Sequence, residues 1–318
     1  MTSSCDSGDA LSLRIGTSGW HYPREREGEL SWEGVFYPAE RPRGFRDLTY
    51  YSRFFNTVEV NLTFYRLPRL SLIHSWIRHT PEDFLFSVKL HQKFTHPTFY
   101  EQRTFAEGRV PTPITDEDYS AMRAILDTLA EAEKLGCLLI QYGYDVPPTP
   151  EQIERVLALA ECFKPHRVAI EIRTRGWHSS PDIMDAFRAA NLAWVYVDQY
   201  TVRYPKVRDV SPTADFYYLR CHGRNPLWVK PKSGGERYDY FYSWDELLQI
   251  GQRLKTVLPR VKTGFVYFNN HARAKAAANA MMFQSLFSRT PAARPSETLC
   301  AAYPQLEALD EYRGRAVA

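Results

Sequence analysis

The chain has 318 residues, 44% of them hydrophobic and 24% charged, which excludes a low-complexity or disordered polymer and allows one large globular domain or two smaller ones. Its 40 basic and 37 acidic side chains leave a formal charge of only +3, so attraction to nucleic acid or anionic lipid would have to come from a local patch. No apolar run reaches signal-peptide or membrane-spanning length, and the expectation is a cytoplasmic protein without a membrane partner. Cys5, Cys137, Cys162, Cys221 and Cys300 are scattered, with no Cys-x-x-Cys pair, which points to reduced thiols rather than a disulfide framework or zinc knuckle.

Short β-rich runs alternate along the chain with helix-like stretches, the pattern of a parallel sheet covered by helices. The runs lie at residues 14–18, 57–61, 85–89, 137–141, 168–173, 193–198, 216–222 and 264–269. Helical periodicity occupies residues 45–55, 70–79, 116–135, 150–163, 181–190, 244–258 and 272–287, while 200–214 reads as irregular. Eight strands with interleaved helices predict one (β/α)8 TIM-type barrel over residues 14–312, flanked by mobile tails at 1–13 and 313–318; a doubly wound open sheet is the competing architecture.

Side chains alternate along a strand, so one parity faces the helices and the other the barrel interior. With Val58, Val60, Val168, Ile170 and Ile172 taken as helix-facing, the inward set becomes Glu59 and Asn61, then Glu171 and Arg173. The same reasoning assigns Ser18 and Trp20, Lys89, His91 and Gln141, Asp198, Arg220 and His222, and Asn269 with His271. Polar side chains therefore gather at the late positions of the strands, where barrel enzymes place their chemistry. Ion pairs that merely close the barrel top, Glu171 with Arg173 or Glu59 with Lys89, are the competing reading. His74, His79, His96 and His166 read as surface histidines.

Several of these stretches carry a resemblance. Ile15-Gly-Thr-Ser-Gly-Trp20, Thr57-Val-Glu-Val-Asn-Leu-Thr-Phe-Tyr-Arg66, Glu171-Ile-Arg173, Asp198-Gln199, Tyr217-Tyr-Leu-Arg-Cys-His-Gly-Arg224, Arg237-Tyr-Asp-Tyr240 and Asn269-Asn-His-Ala272 resemble the domain of unknown function 72 family, also called YecE-like. The resemblance runs from Leu13 to about Leu286. It implies a TIM-type barrel of unsettled activity, comparable through its fold with endonuclease IV and the xylose isomerases. Residues 21–31 form a charged insertion in the first loop.

Three chemistries follow from the inward set. The leading expectation is a phosphate or phosphodiester site, with Lys89, Arg173, Arg220 and Arg224 as donors, because guanidinium groups match phosphate oxygens in paired geometry. Glu171 or Asp198 would activate water, and His222 or His271 would protonate the leaving oxygen. Trp20, Glu59, Asn61, Tyr238, Asn269 and Asn270 complete the expected substrate contacts. The loop at 221–242 adds Lys230, Lys232, Arg237 and aromatic residues, and Ser233-Gly-Gly235 suggests a phosphate nest, so the expected partners are single-stranded nucleic acid or a small phosphorylated ligand. A divalent metal held by Glu59, Glu171, Asp198, His222 or His271 is not favoured, since no close-spaced ligand motif occurs and Arg173 and Arg220 would compete for the carboxylates. A glycoside hydrolase using Glu59 and Glu171 is the runner-up; a non-catalytic phosphorylated-ligand binder is a third reading.

Overall fold

The computed structural model describes residues 12–200, 211–228, 236–288, 290 and 293–316. Its strands close in sequence order into a parallel barrel. They are β1 (Ser12–Ser18), β2 (Thr57–Val60), β3 (Leu85–Lys89), β4 (Leu135–Gln141), β5 (Val168–Glu171), β6 (Ala193–Gln199), β7 (Phe216–Gly223) and β8 (Thr263–Phe268). β1 closes on β8 from Ser12 opposite Thr263 to Thr17 opposite Phe268. The open-sheet alternative is thereby removed.

Around the barrel lie α1 (Arg24–Glu27), α2 (Asp47–Tyr51), α3 (Leu62–Tyr65), α4 (Leu70–Arg78), α5 (Gln92–Thr95), α6 (Pro97–Ala106), α7 (Asp116–Glu131), α8 (Pro150–Glu161), α9 (Pro181–Ala189), α10 (Trp244–Val257), α11 (Lys275–Phe287) and α12 (Glu297–Ala302). Local chemistry sets several starts. Ser243 and Glu246 form a reciprocal capping box on α10, while α8 and α9 begin with a proline behind the capping hydroxyls of Thr149 and Ser180, positions where the missing N–H costs nothing. Among the described residues no helix is long and apolar enough to cross a membrane.

Four local expectations need correction. The helix expected at 272–287 starts only at Lys275, because Arg273 and Ala274 adopt left-handed backbone with φ of 51° and 63°. The helices α5 and α6 occupy a stretch that the periodicity left as loop. Residues 12 and 13, expected in the N-terminal tail, already belong to β1. Residues 314–316 are also docked: the Gly314 N–H donates to the Ser285 carbonyl and the Ala316 N–H to that of Leu286, and Ala316 is buried. The irregular stretch at 201–210, Lys230, Lys232, the Ser233-Gly-Gly235 turn and residues 1–11 lie outside the described residues.

Two apolar layers hold the molecule together. The larger fills the space between barrel and helices. The smaller fills the barrel itself with Cys137, Leu139, Ala169, Ala193, Val195, Phe216, Tyr218, Phe265 and Tyr267, so the barrel is a packed core rather than a pore. Above this floor, Tyr267 Oη bonds Thr57 Oγ1 at 2.7 Å and Ser87 Oγ at 2.8 Å. The interior then changes from apolar to ionic.

Candidate functional site

Arg220 is the centre of the ionic layer. On β7 it follows Tyr218 on the inward parity, and it is 1% exposed. Its Nε and Nη2 donate to Glu59 Oε2 and Oε1 at 2.9 and 2.7 Å, and Nη1 donates to Glu171 Oε2 at 2.6 Å and Gln141 Oε1 at 3.0 Å. Tyr218 Oη adds a fourth donor to this layer at 2.8 Å from Glu59 Oε2. The expectation that Arg220 donates to phosphate is corrected: each of its nitrogens is already spent on a buried acceptor. Burial pushes the Glu171 carboxyl up, but Arg220 and then Arg173 overcome it and hold Glu171 well below the usual carboxylate range. It is therefore an ionised, weakly basic group, poorly suited either to activate water or to act as the protonated acid of a glycosidase.

The next layer toward solvent contains Lys89, Arg173, His222 and Asn269. Arg173 donates from Nε to Glu171 Oε1 at 2.7 Å; among the described residues its two terminal nitrogens donate to no protein acceptor. Lys89, the last residue of β3, places Nζ 3.9 Å from the centre of the Phe64 ring. Its Nζ makes no hydrogen bond or ion pair among the described residues, because Arg220 already occupies Glu59. Burial first, then the Arg220 charge, lowers its pKa from 10.5 to about 7, with Arg173 adding to the effect and the carboxylates opposing it.

Burial favours the neutral form of the histidines at the mouth. Asn269 Nδ2 donates to His222 Nδ1 at 3.0 Å, leaving the proton of the neutral ring on Nε2, which stands 4.0 Å from Glu171 Oε1. Burial and then Arg220 hold His222 well below 6.5. His271 donates from Nδ1 to the Asn269 carbonyl at 3.2 Å, stacks on Tyr22 at 4.7 Å and lies 5.1 Å from Tyr238; burial lowers its pKa to about 4. Near neutrality neither ring is the imidazolium that the expected acid role of both requires, so that role is corrected. Lys89 is the group tuned to that range.

Other expected contacts face elsewhere. Val195 lies inside the barrel, so Asp198, three residues on, takes the outward parity. It accepts both arms of Arg224 at 2.9 and 2.7 Å and the Tyr242 hydroxyl at 2.9 Å. Arg224 also reaches Glu246 of α10 at 3.0 Å. The two residues thus form a strut between β6, β7 and α10, which corrects the inward placement of Asp198 and the use of Arg224 as a free phosphate donor. Asn270 is fully buried and donates to the Tyr240 carbonyl at 2.9 Å and to Asn279 Oδ1 at 2.8 Å; it anchors α11 rather than a ligand. Trp20 packs edge-on against Trp76 of α4 at 5.3 Å. Asn61 stands at the turn from β2 to α3, half-buried.

Two mouth residues escaped the sequence reading. His96, expected on the surface, meets Phe64 edge-on at 5.2 Å, and burial, followed by Lys89 and Arg173, lowers its pKa to about 4. Its position in the loop that follows β3 was the available signal, since loops after barrel strands build the mouth. Tyr22, from the charged insertion, places its hydroxyl on the Ser18 carbonyl and its ring on His271. The insertion therefore covers the β1 and β8 side of the mouth. His166, in contrast, pairs with Asp127 at 2.6 Å at the opposite end, with its side chain largely covered rather than on the surface.

Among the described residues no three His, Cys, Asp or Glu side chains are grouped for coordination.

A family model described as "Protein of unknown function DUF72" matches residues 14–300. The chain belongs to the DUF72 family. It is 29% identical over 290 residues, 86% of this chain and 94% of the relative, to the UPF0759 protein YunF of Bacillus subtilis (strain 168). The crystal structure of a DUF72 family protein of Thermotoga maritima MSB8 aligns with a TM-score of 0.71 at 30% identity, covering 87% of this chain and 99% of that one. A DUF72 family protein of Enterococcus faecalis V583, at 21% identity and a TM-score of 0.71 over 90% and 99% of the two chains, supports the same fold. DUF72 membership and the barrel agree; neither names a substrate.

Proposed function

We propose that the barrel mouth is a small-molecule site for a phosphate-containing substrate, anchored by Arg173 and Lys89, with Lys89 as the proton-carrying group of a hydrolase-type reaction. One observation carries this reading: the two carboxylates are balanced by Arg220 and Arg173, yet Lys89 adds a further buried cation with no carboxylate left to pair with it. An arriving phosphoryl group would accept from the unspent nitrogens of Arg173 and supply the missing negative charge. It would also raise the Lys89 pKa, so that binding draws a proton onto the amine. Neutral His96 and His271 can accept protons in this layout, and Tyr238 and Phe64 provide aromatic surface beside the anion site.

Binding of inorganic phosphate, a nucleoside monophosphate and a single-stranded oligonucleotide should be compared by titration calorimetry for the wild type and Arg173→Ala. The reading expects wild-type binding of at least one of the three, weakened about tenfold or more in the variant, the worth of a charge-assisted hydrogen bond. The ranking identifies the source of the phosphate: a small ligand if the monophosphate leads, a nucleic-acid strand if the oligonucleotide does and its affinity falls with salt. Equal affinities for the wild type and the variant would remove the site.

A further inference from the structure

We propose that Lys89 is an imine-forming nucleophile, and that the substrates of this site are aldehydes or ketones carrying an anionic group. The anionic group rests on the anchor described above; the amine chemistry rests on Lys89 itself. Its side chain leaves the end of β3 on the inward face and is 8% exposed. The Nζ rests over the Phe64 ring at 3.9 Å and is not tied into an ion pair. A buried lysine would normally seek a carboxylate; here Glu59 and Glu171 are both turned onto Arg220 at 2.6–2.9 Å. The lone pair of the neutral amine is therefore spent on no proton and no partner, the state that makes a lysine nucleophilic. With a pKa of about 7, a large share of the amine is in that state at neutral pH.

The chemistry balances without a further reagent. The Nζ lone pair forms a bond to the carbonyl carbon while the C=O π electrons move to oxygen. That oxygen gains a proton as the nitrogen loses one, which gives a carbinolamine. Departure of the hydroxyl with a second proton, as water, leaves the C=N bond; the sum is amine plus carbonyl to imine plus water. His96 shares the Phe64 ring with Lys89, meeting its edge at 5.2 Å, and as a neutral imidazole it can take the proton from nitrogen and return it to the departing hydroxyl. Arg173, also at the mouth, is placed to hold the anionic end of the carbonyl compound.

The test uses the full chain, glyceraldehyde 3-phosphate and unphosphorylated glyceraldehyde as probes, and sodium cyanoborohydride to reduce any imine, followed by peptide mapping. The expected result is a reduced adduct on Lys89, formed about a hundredfold or more faster at pH 7.5 than on any surface lysine, as the several-hundredfold larger neutral fraction of the amine requires. In the wild type with unphosphorylated glyceraldehyde, trapping at Lys89 should rise with pH to a plateau with a midpoint near 7, against 10.5 for an ordinary lysine, and the bound phosphate of glyceraldehyde 3-phosphate should move that midpoint upward. Lys89→Arg, which keeps a cation without a primary amine, should abolish the adduct. Labelling confined to surface lysines, or a midpoint near 10, overturns the proposal; if inorganic phosphate still binds, the anion site stands without it. Equal labelling of Lys89 by both probes, with no phosphate binding, upholds the nucleophile and removes the anchor.

Discussion

Arg220 and Glu59 meet as fork against fork, Nε on Oε2 at 2.9 Å and Nη2 on Oε1 at 2.7 Å, with the carboxylate wholly buried and the guanidinium nearly so. Such a pair contributes less than its contacts suggest, because desolvating both charges offsets most of their attraction; breaking it is another matter, since one charge is left alone in the core. Arg220→Met should cost about 3–5 kcal/mol in denaturant unfolding at pH 7. Arg220→Lys should recover little, because an ammonium cannot serve Glu59, Glu171 and Gln141 in one plane. A loss below about 1 kcal/mol for Arg220→Met, the size typical of an exposed pair, would mean that the layer is not the buried network described.

Acid should act through Glu171. Its folded pKa lies below the usual 4.5, so as pH falls the unfolded chain takes up the proton first. The stabilisation is present above about pH 4.5 and is lost on acidification below it. Stability measured from pH 6 down to pH 3 should therefore fall less steeply in Glu171→Gln than in the wild type; parallel curves would contradict the depressed carboxyl.

Lys89 has the opposite signature. Between about 7 and 10.5 the unfolded chain holds a proton that the folded amine has released. Stability from this group hence rises with pH across that window, and the cost of burying the ammonium is fully present below it. Lys89→Met should stabilise the protein at pH 6 by roughly 2–4 kcal/mol, the gain shrinking toward pH 10. A variant less stable than the wild type at pH 6 would show that the mouth does not strain the ammonium.

The histidines should be silent where histidines usually titrate. With His96 and His271 lowered to about 4 and His222 held well below 6.5, their ring proton resonances should stay constant from pH 8 to pH 5.5. Movement of any of the three with a midpoint near 6.5 would restore it as a candidate acid.

The barrel was legible because β-branched and aromatic runs recur eight times with helical periodicity between them, and the family resemblance pointed to the same fold. Glu59, Lys89, Glu171, Arg220 and His222 were legible as a ring because period-two alternation holds through β2, β3, β5 and β7. Asp198 was misplaced because in β6 both parities are apolar, Val195 inside and Tyr196 outside, so the pattern does not say which face is which. The pairing was illegible for a different reason. Glu59 chooses Arg220 over Lys89 by the geometry of a closed barrel, which sets β2 across from β7, and no spacing along the chain records it. His96 was missed because a histidine in a polar loop reads as solvated until the strand beneath it is placed.

The central claim is that the mouth holds an anion through Arg173 and draws a proton onto Lys89 as it does so. Sulfate tests it most directly, since it presents phosphate-like oxygens and has no proton of its own to exchange near neutrality. Sulfate should be titrated into the protein by calorimetry at pH 7.5, in two buffers of different ionisation enthalpy. The account predicts binding with uptake of part of one proton, weakened by Arg173→Ala and without proton uptake in Lys89→Met. Absence of binding, or wild-type binding that takes up no proton and is indifferent to Arg173, would contradict it.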